Sequence, residues 1–204
     1  MNWIKDFIPN IKRNISQTFG SEKDSKVPEG LWQSCDNCGS ILYIPELKKN
    51  SFVCSKCSYH LKINTQQRIE ITFDKDSYQS LNEEEKFRDF LNFRDTKKYK
   101  DRFQEASKKS NCDEALSIGI GEIKGIQVTT AIFEFDFLGG SMGAVVGKRF
   151  ADIVDLSLKK KIPLVCFSTS GGARMQESMI SLFQMGKTSA AVKRLKNSKI
   201  PFIS

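Results

Sequence analysis

The chain has 204 residues, which is enough for one well-packed core and a small additional module. Its hydrophobic share of 39% and charged share of 27% are typical of a globular protein and exclude a disordered or fibrous one. The formal net charge of +8 indicates, for most of these charges, a solvated surface rich in lysine; the alternative is an anionic partner, which could be nucleic acid, a phosphate-bearing cofactor or an acidic protein.

Residues 1–30 combine an amphipathic segment with a linker. Apolar residues recur at intervals of mostly three and four from Ile4 to Phe19, which predicts a helix that Pro9 starts or kinks. The stretch 20–30 is polar and contains glycine and proline, as linkers do. No run reaches the roughly 18 apolar residues of a membrane helix, and no signal-peptide core is present. We therefore expect a cytosolic protein with no membrane span.

Residues 31–64 carry two CxxC pairs with the spacing of a zinc ribbon. The pairs are Cys35 with Cys38 and Cys54 with Cys57, separated by the 15 residues 39–53. Four thiolates complete a tetrahedral site with no open position for substrate, so the ion would be structural. Two redox-active dithiols are the alternative interpretation.

The remaining cysteines and the single histidine predict little chemistry. His60 follows a ribbon whose four thiolates already fill the site, so we expect it at the surface. The main domain then has no histidine for a Ser–His–Asp or Cys–His arrangement. Cys166 lies inside an apolar run, which predicts a core position.

Residues 65–204 change from charge-dense helical segments to an alternation of strands and helices. This order predicts an α/β domain with a mostly parallel sheet and right-handed crossovers. The last apolar stretch, IPFIS, resembles the start of a strand, so we expect the C-terminal part of the domain to be missing. The predicted elements are helices within 83–93 and 97–106, strands at 115–121 and 126–135, a helix ending at 159–161, a strand at 163–167, a helix through 175–185, and the final strand.

Two glycine-rich loops follow strands and precede helices: FLGGSMG (loop 1, residues 137–143) and SGGAR (loop 2, residues 170–174). Free N–H groups and the positive end of a helix dipole at such a junction bind anions. The anion is either a phosphate or an oxyanion that forms in a transition state. Neither loop matches GxxxxGK[ST] or GxGxxG. Glycines that merely permit tight turns are the third interpretation.

A family resemblance rests on these motifs. Residues 133–177, with both loops, SLFQMGKTSAAV (181–192) and FRDTKKYKDRFQEA (93–106) resemble the β subunits of the bacterial and plastid-type acetyl-CoA carboxylase carboxyltransferase. A ribbon with four cysteines precedes them at the expected place, and the resemblance extends from about Leu31 to the end. It implies a fold in which a four-cysteine zinc ribbon (31–64) precedes a crotonase-like core of repeated ββα units (65–204), truncated at the C-terminus.

The resemblance also implies a reaction and a location. The carboxyl group of carboxybiotin, on the biotin carboxyl carrier protein, is transferred to acetyl-CoA to form malonyl-CoA, the first committed step of fatty acid biosynthesis. The cofactors implied are one structural Zn²⁺ per chain and the biotin of the carrier. The compartment implied is the cytoplasm, or the plastid stroma for a plastid-encoded chain.

The site residues follow from the same resemblance. The backbone amides of Gly171 and Gly172 are expected to be the catalytic groups that bind an oxyanion. The substrate-facing wall is expected to come from loop 1, through Gly139, Gly140 and Gly143.

Charged residues near the loops have two interpretations each. Arg174 would either pair with a phosphate of CoA or support its loop through Glu177. Lys148 and Arg149, on the first turn of the helix after loop 1, would either meet CoA phosphates or belong to a solvated helix face.

The implied partners are a carboxyltransferase α subunit in an α2β2 assembly, the carrier protein and biotin carboxylase. The second oxyanion site comes from the α subunit, so the chain alone is expected to be inactive. The alternatives are a nucleic-acid-binding zinc-ribbon protein, a carboxyltransferase for a longer acyl-CoA, and a ClpP-like hydrolase, which the lack of a histidine disfavours.

Overall fold

The computed structural model describes residues 30–83 and 89–204, which form a small two-stranded unit and a larger five-stranded sheet with helices. The amphipathic helix predicted within residues 1–30 lies outside the described residues. In the small unit, β1 (Trp32–Ser34) and β2 (Ile41–Tyr43) form an antiparallel hairpin, and α1 (Ile44–Lys49) follows. Leu42, Leu47, Phe52 and Leu61 form its core with the buried cysteines.

The larger unit has a mixed sheet in the order β3-β4-β5-β6-β7. Its elements are α2 (Thr65–Thr72), β3 (Gln79–Ser80), α3 (Tyr99–Ser110), β4 (Leu116–Ile123), β5 (Ile126–Phe133), α4 (Ala144–Lys160), β6 (Leu164–Phe167), α5 (Ser178–Asn197) and β7 (Phe202–Ile203).

The sheet is half antiparallel, so the expectation of a mostly parallel sheet is wrong. The β3–β4 and β4–β5 pairs are antiparallel, and the β5–β6 and β6–β7 pairs are parallel. The short turn at Lys124-Gly125 explains the β4–β5 pair, because two residues can join only antiparallel neighbours. The two helical crossovers, through α4 and α5, give the parallel pairs.

The core forms where α4 packs on the sheet. The residues of α4 at i, i+4, i+7 and i+8 face inward as the periodicity predicts: Val146, Phe150, Ile153 and Val154. Leu116 and Leu164 from the strands meet them and are fully buried. Both glycine loops leave the carboxyl ends of strands in this layer.

Helix α5 packs against α4 through small and polar residues. Its buried residues are Ser181, Gln184, Ala191 and Leu195. Gly147 allows the approach, because a Cβ there would collide with the Gln184 side chain. The large apolar residues on and just before α5 are instead exposed: Met175, Met179, Leu182, Phe183 and Met185.

The two helices predicted in the middle of the chain have different outcomes. The helix predicted within 97–106 is confirmed as part of α3, whereas the described residues 89–93 of the neighbouring prediction are not helical. Among the helices described, none is both long and apolar enough to cross a bilayer.

Candidate functional site

The two glycine loops are joined by backbone hydrogen bonds into one unit. The Gly171 N–H donates to the Gly139 carbonyl (2.7 Å), and the Met142 N–H donates to the Gly172 carbonyl (2.8 Å). The Arg174 N–H then donates to the Met142 carbonyl (3.0 Å), which leaves Met142 and Ala173 as a one-residue parallel bridge. Strand, glycine loop, bridge residue and helix therefore occur twice in the same order.

The amides predicted to be catalytic have acceptors within the protein. The Gly171 N–H is bonded to the Gly139 carbonyl, and the Gly172 N–H donates to the Ser170 hydroxyl (2.9 Å). Both amides are therefore occupied, and an oxyanion could reach them only by replacing two neutral acceptors.

Loop 1 contributes backbone at its three predicted glycines. Gly139 and Gly140 lie in a single 3₁₀ turn, Leu138–Gly140, in which the Gly140 N–H donates to the Phe137 carbonyl (2.9 Å). Gly143 precedes the first residue of α4. A Cβ at Gly143 would collide with the Glu177 carboxylate, so the glycine permits this close approach.

The N-terminus of α4 already contacts an anion, the carboxylate of Glu177, which follows loop 2 in the chain. The Glu177 carboxylate is 5% exposed and accepts a hydrogen bond from the Ala144 N–H (2.6 Å). A carboxylate at this position satisfies an unpaired N–H group and the positive end of the helix dipole. The free N–H groups expected at the start of this helix are therefore partly occupied.

Arg174 lies under both loops and is 1% exposed. Its guanidinium forms a salt bridge with Glu114 (2.5 Å) and contacts Glu177 (3.3 Å). It also donates to the Ser141 carbonyl (2.8 Å) and the Tyr99 hydroxyl (3.2 Å). Burial opposes the charge, but the attraction of Glu114 outweighs it and raises the pKa of Arg174 above its ordinary value.

These contacts match the second interpretation of Arg174, in which its side chain supports its loop through Glu177. The guanidinium is enclosed and its charge is met by two buried carboxylates, so the residue fixes loop 1 to loop 2. Direct contact of Arg174 with a CoA phosphate stays a prediction, as do the substrate contacts of Gly139, Gly140 and Gly143.

The two cations at the start of α4 have different surroundings. Arg149 is 2% exposed, forms a salt bridge with Asp113 and donates to the Leu116 carbonyl (2.8 Å). The expectation that it meets CoA or lies on a solvated face is wrong, because these partners hold it in the interior. Lys148 is on the surface and pairs with Asp152 (3.1 Å) one turn along the helix.

Sequence reasoning missed two members of the site. Glu114 and Tyr99 are both 1% exposed, and each contacts Arg174 from a different part of the chain. The only sequence signal for Tyr99 is its place within residues 93–106, a segment that resembles the family. Glu114 gave no signal, because its partner lies 60 positions away.

The four ribbon cysteines form a cluster that could hold a metal ion such as zinc. Their sulfur atoms all lie within 4.8 Å of one another, with Cys35–Cys57 at 3.7 Å and Cys38–Cys54 at 3.8 Å. A tetrahedron with zinc–sulfur bonds of about 2.3 Å has edges of about 3.8 Å, so the spacing fits. His60 is exposed beside the cluster, as expected for a residue that is not a ligand.

The electrostatics of the cluster favour a thiolate at Cys38. Hydrogen bonding from the side chain and backbone of Ser40 lowers the pKa of the Cys38 thiol to about 6. Thiolates are the form that binds metal, so this lowered pKa favours a ligating role for Cys38. Cys166, in contrast, lies in the core, where burial raises the pKa of its thiol to about 12.

Two cavities open at the carboxyl ends of β5 and β6, and both are lined by Ser168 and Thr169, which precede loop 2. One, of about 680 Å³, is largely apolar and lies toward α4 and α5, against Phe150 and Val192. The other, of about 580 Å³, lies toward α2. Ligands of sheets with helical crossovers bind outside the carboxyl ends of the strands, so this edge is the candidate site.

The fold and the paired loops define an α/β protein whose candidate site is built mainly of backbone groups. Residues 62–204 match the carboxyl transferase domain family, and the chain belongs to that family. A similar solved structure is transcarboxylase 12S with methylmalonyl-coenzyme A and methylmalonic acid bound, at 26% identity and a TM-score of 0.50. The match covers 66% of this chain and 24% of the transcarboxylase, so this chain spans about a quarter of that relative.

Two further solved structures are similar at lower identity. The Pseudomonas malonate decarboxylase MdcD–MdcE hetero-dimer is 20% identical with a TM-score of 0.48, over 66% of this chain and 48% of that one. The beta subunit of P. aeruginosa geranyl-CoA carboxylase is 16% identical with a TM-score of 0.48, over 74% of this chain and 24% of that one.

The cysteine cluster predicts one zinc ion per chain. Replacing Cys54 by Ser removes one of four ligands, so we expect the Cys54→Ser chain to lose most of its zinc. Inductively coupled plasma mass spectrometry of the purified protein measures the zinc content. Cys112→Ser is the matched control, because Cys112 lies outside the cluster, and equal zinc in the two variants would contradict the assignment.

The Arg174 cluster predicts a large stability effect. Arg174→Met leaves Glu114 and Glu177 buried without a cation, and we expect the free energy of unfolding to fall by about 3–5 kcal/mol. Arg102→Met removes a partly exposed pair with Asp95 and should cost less than about 1 kcal/mol. Urea unfolding followed by circular dichroism measures both, and similar losses for the two variants would argue against a supporting role.

Proposed function

We propose that the chain is the β subunit of an acetyl-CoA carboxylase carboxyltransferase. In this proposal it transfers the carboxyl group from carboxybiotin, on the biotin carboxyl carrier protein, to acetyl-CoA and forms malonyl-CoA for fatty acid biosynthesis. The observation that carries the proposal is the pairing of two glycine loops, by backbone hydrogen bonds, within a carboxyl transferase domain. The crotonase-like repeat is part of the proposal, and the recurring order of strand, loop, bridge and helix supports it.

The proposed chemistry needs groups that stabilise an enolate. Carboxybiotin, when bound, supplies the carboxyl group, and its decarboxylated ring supplies an acceptor for the proton of the acetyl methyl group. The chain's own contribution is to hold the thioester oxygen as negative charge develops on it. We assign that role to the N–H groups of Gly171 and Gly172, since donors preorganised for an oxyanion lower the barrier more than donors matched to the ground state.

The two N–H groups can take this role only if the substrate replaces their acceptors, and the loops then stay joined through the N–H groups of Met142 and Arg174. The Gly139 carbonyl and the Ser170 hydroxyl hold the amides in place before substrate arrives. A developing oxyanion is a stronger acceptor than either, so the exchange becomes most favourable in the transition state. The single histidine of the chain, His60, lies in the ribbon, which agrees with proton transfer to the biotin ring.

The zinc ribbon has a structural role in this proposal. Four thiolates leave no coordination position for substrate, so the ion holds together a module with a small core. The location that follows from the proposal is the cytoplasm, or the plastid stroma if a plastid genome encodes the chain.

An exposed apolar surface supports the dependence on an α subunit. The surface consists of Met179, Leu182, Phe183 and Met185 of α5, each at least half exposed. Apolar side chains gathered on one helix mark interaction sites more often than solvated surface. We therefore propose that α5 meets a partner subunit, that the assembly is α2β2, and that the chain alone is inactive.

A carboxyltransferase for a longer acyl-CoA is the second candidate. The observation that favours it is the largely apolar cavity of about 680 Å³ beside loop 2, which is much larger than an acetyl group needs. Comparing acetyl-CoA with acyl-CoA of increasing chain length in the exchange assay distinguishes the two candidates.

The proposal predicts that one methyl group in loop 2 abolishes turnover. Gly172 has a φ of +93°, which L side chains rarely adopt, so Gly172→Ala should displace its N–H group. Losing one oxyanion donor lowers the rate about 100- to 1000-fold. The measurement is biotin-dependent exchange between malonyl-CoA and acetyl-CoA, with the protein mixed with an α subunit.

Gly125→Ala is the matched control for this assay. Gly125 also has a positive φ, +75°, and open space for a Cβ, but it lies in the turn between β4 and β5, at the other end of β5 from loop 1, so we expect full activity. Equal exchange rates in the two alanine variants would sink the proposed role of loop 2. Exchange by the purified chain without a partner would contradict its dependence on an α subunit.

A further inference from the structure

The cavity of about 580 Å³ beside α2 carries a feature that the reaction scheme does not use. One wall consists of Lys62 and the first turn of α2, and the other consists of the strand ends with Ser168 and Thr169. The cavity therefore reaches the residues that lead into loop 2. Its lining offers several hydrogen-bond donors, from hydroxyl groups, an amide and two cations.

Arg68 is the cation lining this cavity that forms no ion pair with a described carboxylate. Its guanidinium lies over the ring of Phe167, 5.1 Å from the ring centroid, and the residue is half-buried. Within residues 30–83 and 89–204, no carboxylate pairs with it. A guanidinium over an aromatic ring makes this contact through its charge and leaves its N–H groups able to donate to an oxygen acceptor.

Lys62, in contrast, already has a partner. Its ammonium pairs with Asp136 (2.7 Å), and Lys109 reaches the same carboxylate oxygen (3.3 Å). Two cations share one anion there, so the group around Lys62 keeps one positive charge in addition to that of Arg68.

The carboxylate that lines the cavity, Glu134, is bound by other donors. It is 3% exposed and accepts hydrogen bonds from the backbone N–H (3.0 Å) and the hydroxyl (3.2 Å) of Thr65. The Asp136 N–H donates to its other oxygen (3.1 Å). Its charge therefore stabilises the N-terminus of α2 and does not serve Arg68.

We propose that Arg68 forms an anion-binding subsite next to loop 2, for a phosphate or carboxylate group of the acyl-CoA substrates. The inference rests on the proposed function and extends it by naming a residue that binds the charged part of the substrate. The planar fork of arginine suits both groups, since each presents two oxygens to its N–H donors. Ser168 and Thr169 extend the donor set from the anion toward the glycine loop.

A binding experiment with two probes separates the two sources of the anion. Isothermal titration calorimetry measures the dissociation constants of adenosine 3′,5′-bisphosphate, for the nucleotide phosphates, and of malonate, for the carboxylate. We expect Arg68→Gln to weaken one probe about 10- to 100-fold, the usual effect of losing hydrogen bonds to a charged group. Arg68→Lys, which keeps the charge and loses the fork, should recover part of the loss.

Arg94→Gln is the matched control. Arg94 is exposed and does not line the cavity, so both dissociation constants should stay unchanged although the net charge falls equally. Equal affinities in Arg68→Gln and Arg94→Gln, or no binding of either probe to the unsubstituted protein, would overturn the subsite.

The exchange assay distinguishes this failure from failure of the proposed function. If Arg68→Gln leaves exchange and both affinities intact while Gly172→Ala abolishes exchange, the carboxyltransferase proposal stands and the subsite is wrong. If the unsubstituted protein with its partner shows no exchange but Arg68→Gln weakens binding of the anion, the subsite stands and the carboxyltransferase proposal is wrong.

Discussion

The candidate site depends on one buried cation between two carboxylates. Arg174 holds Glu114 on one side and Glu177 on the other, and all three are at least 95% buried. Each charge would cost several kcal/mol in the interior without its partners, so the three can exist there only together. Because Arg174 belongs to loop 2 and also binds the Ser141 carbonyl of loop 1, this ionic requirement fixes the relative position of the loops. Glu177 extends it further, since the same carboxylate meets the first N–H of α4.

Side chains and backbone have different roles in this arrangement. Charged side chains lie beneath the loops and orient them, while the backbone N–H groups of loop 2 donate to carbonyls of loop 1 and to the Ser170 hydroxyl. In the proposed function two of these N–H groups pass to an oxyanion, and donors held by a rigid scaffold lose little entropy in that exchange.

The sequence predicted those features that depend on near neighbours. The cysteine spacing predicted the four-cysteine cluster, and the periodicity of residues 146–154 predicted the buried face of α4. The sequence did not predict features that depend on contacts with residues far away in the chain. Arg149 lies in the interior because it forms a salt bridge with Asp113 and donates to a carbonyl of β4. No residue near it in the sequence indicates these partners. The large apolar residues of α5 are exposed because small and polar residues make its contact with α4, so composition alone did not identify the buried face. The acceptors of the loop amides were equally hidden, since they arise only when the loops meet.

Residue-resolved amide hydrogen exchange tests most directly whether the two loops are a single unit. The amides of Met142 and Arg174 donate from one loop to the other, whereas the Gly172 amide donates to a side chain within its own exposed loop. The account predicts that Met142 and Arg174 exchange as slowly as a core amide such as Thr129, and that Gly172 exchanges faster. If Met142 and Arg174 exchange as quickly as Gly172, the loops are independent and the buried cluster does not hold them together.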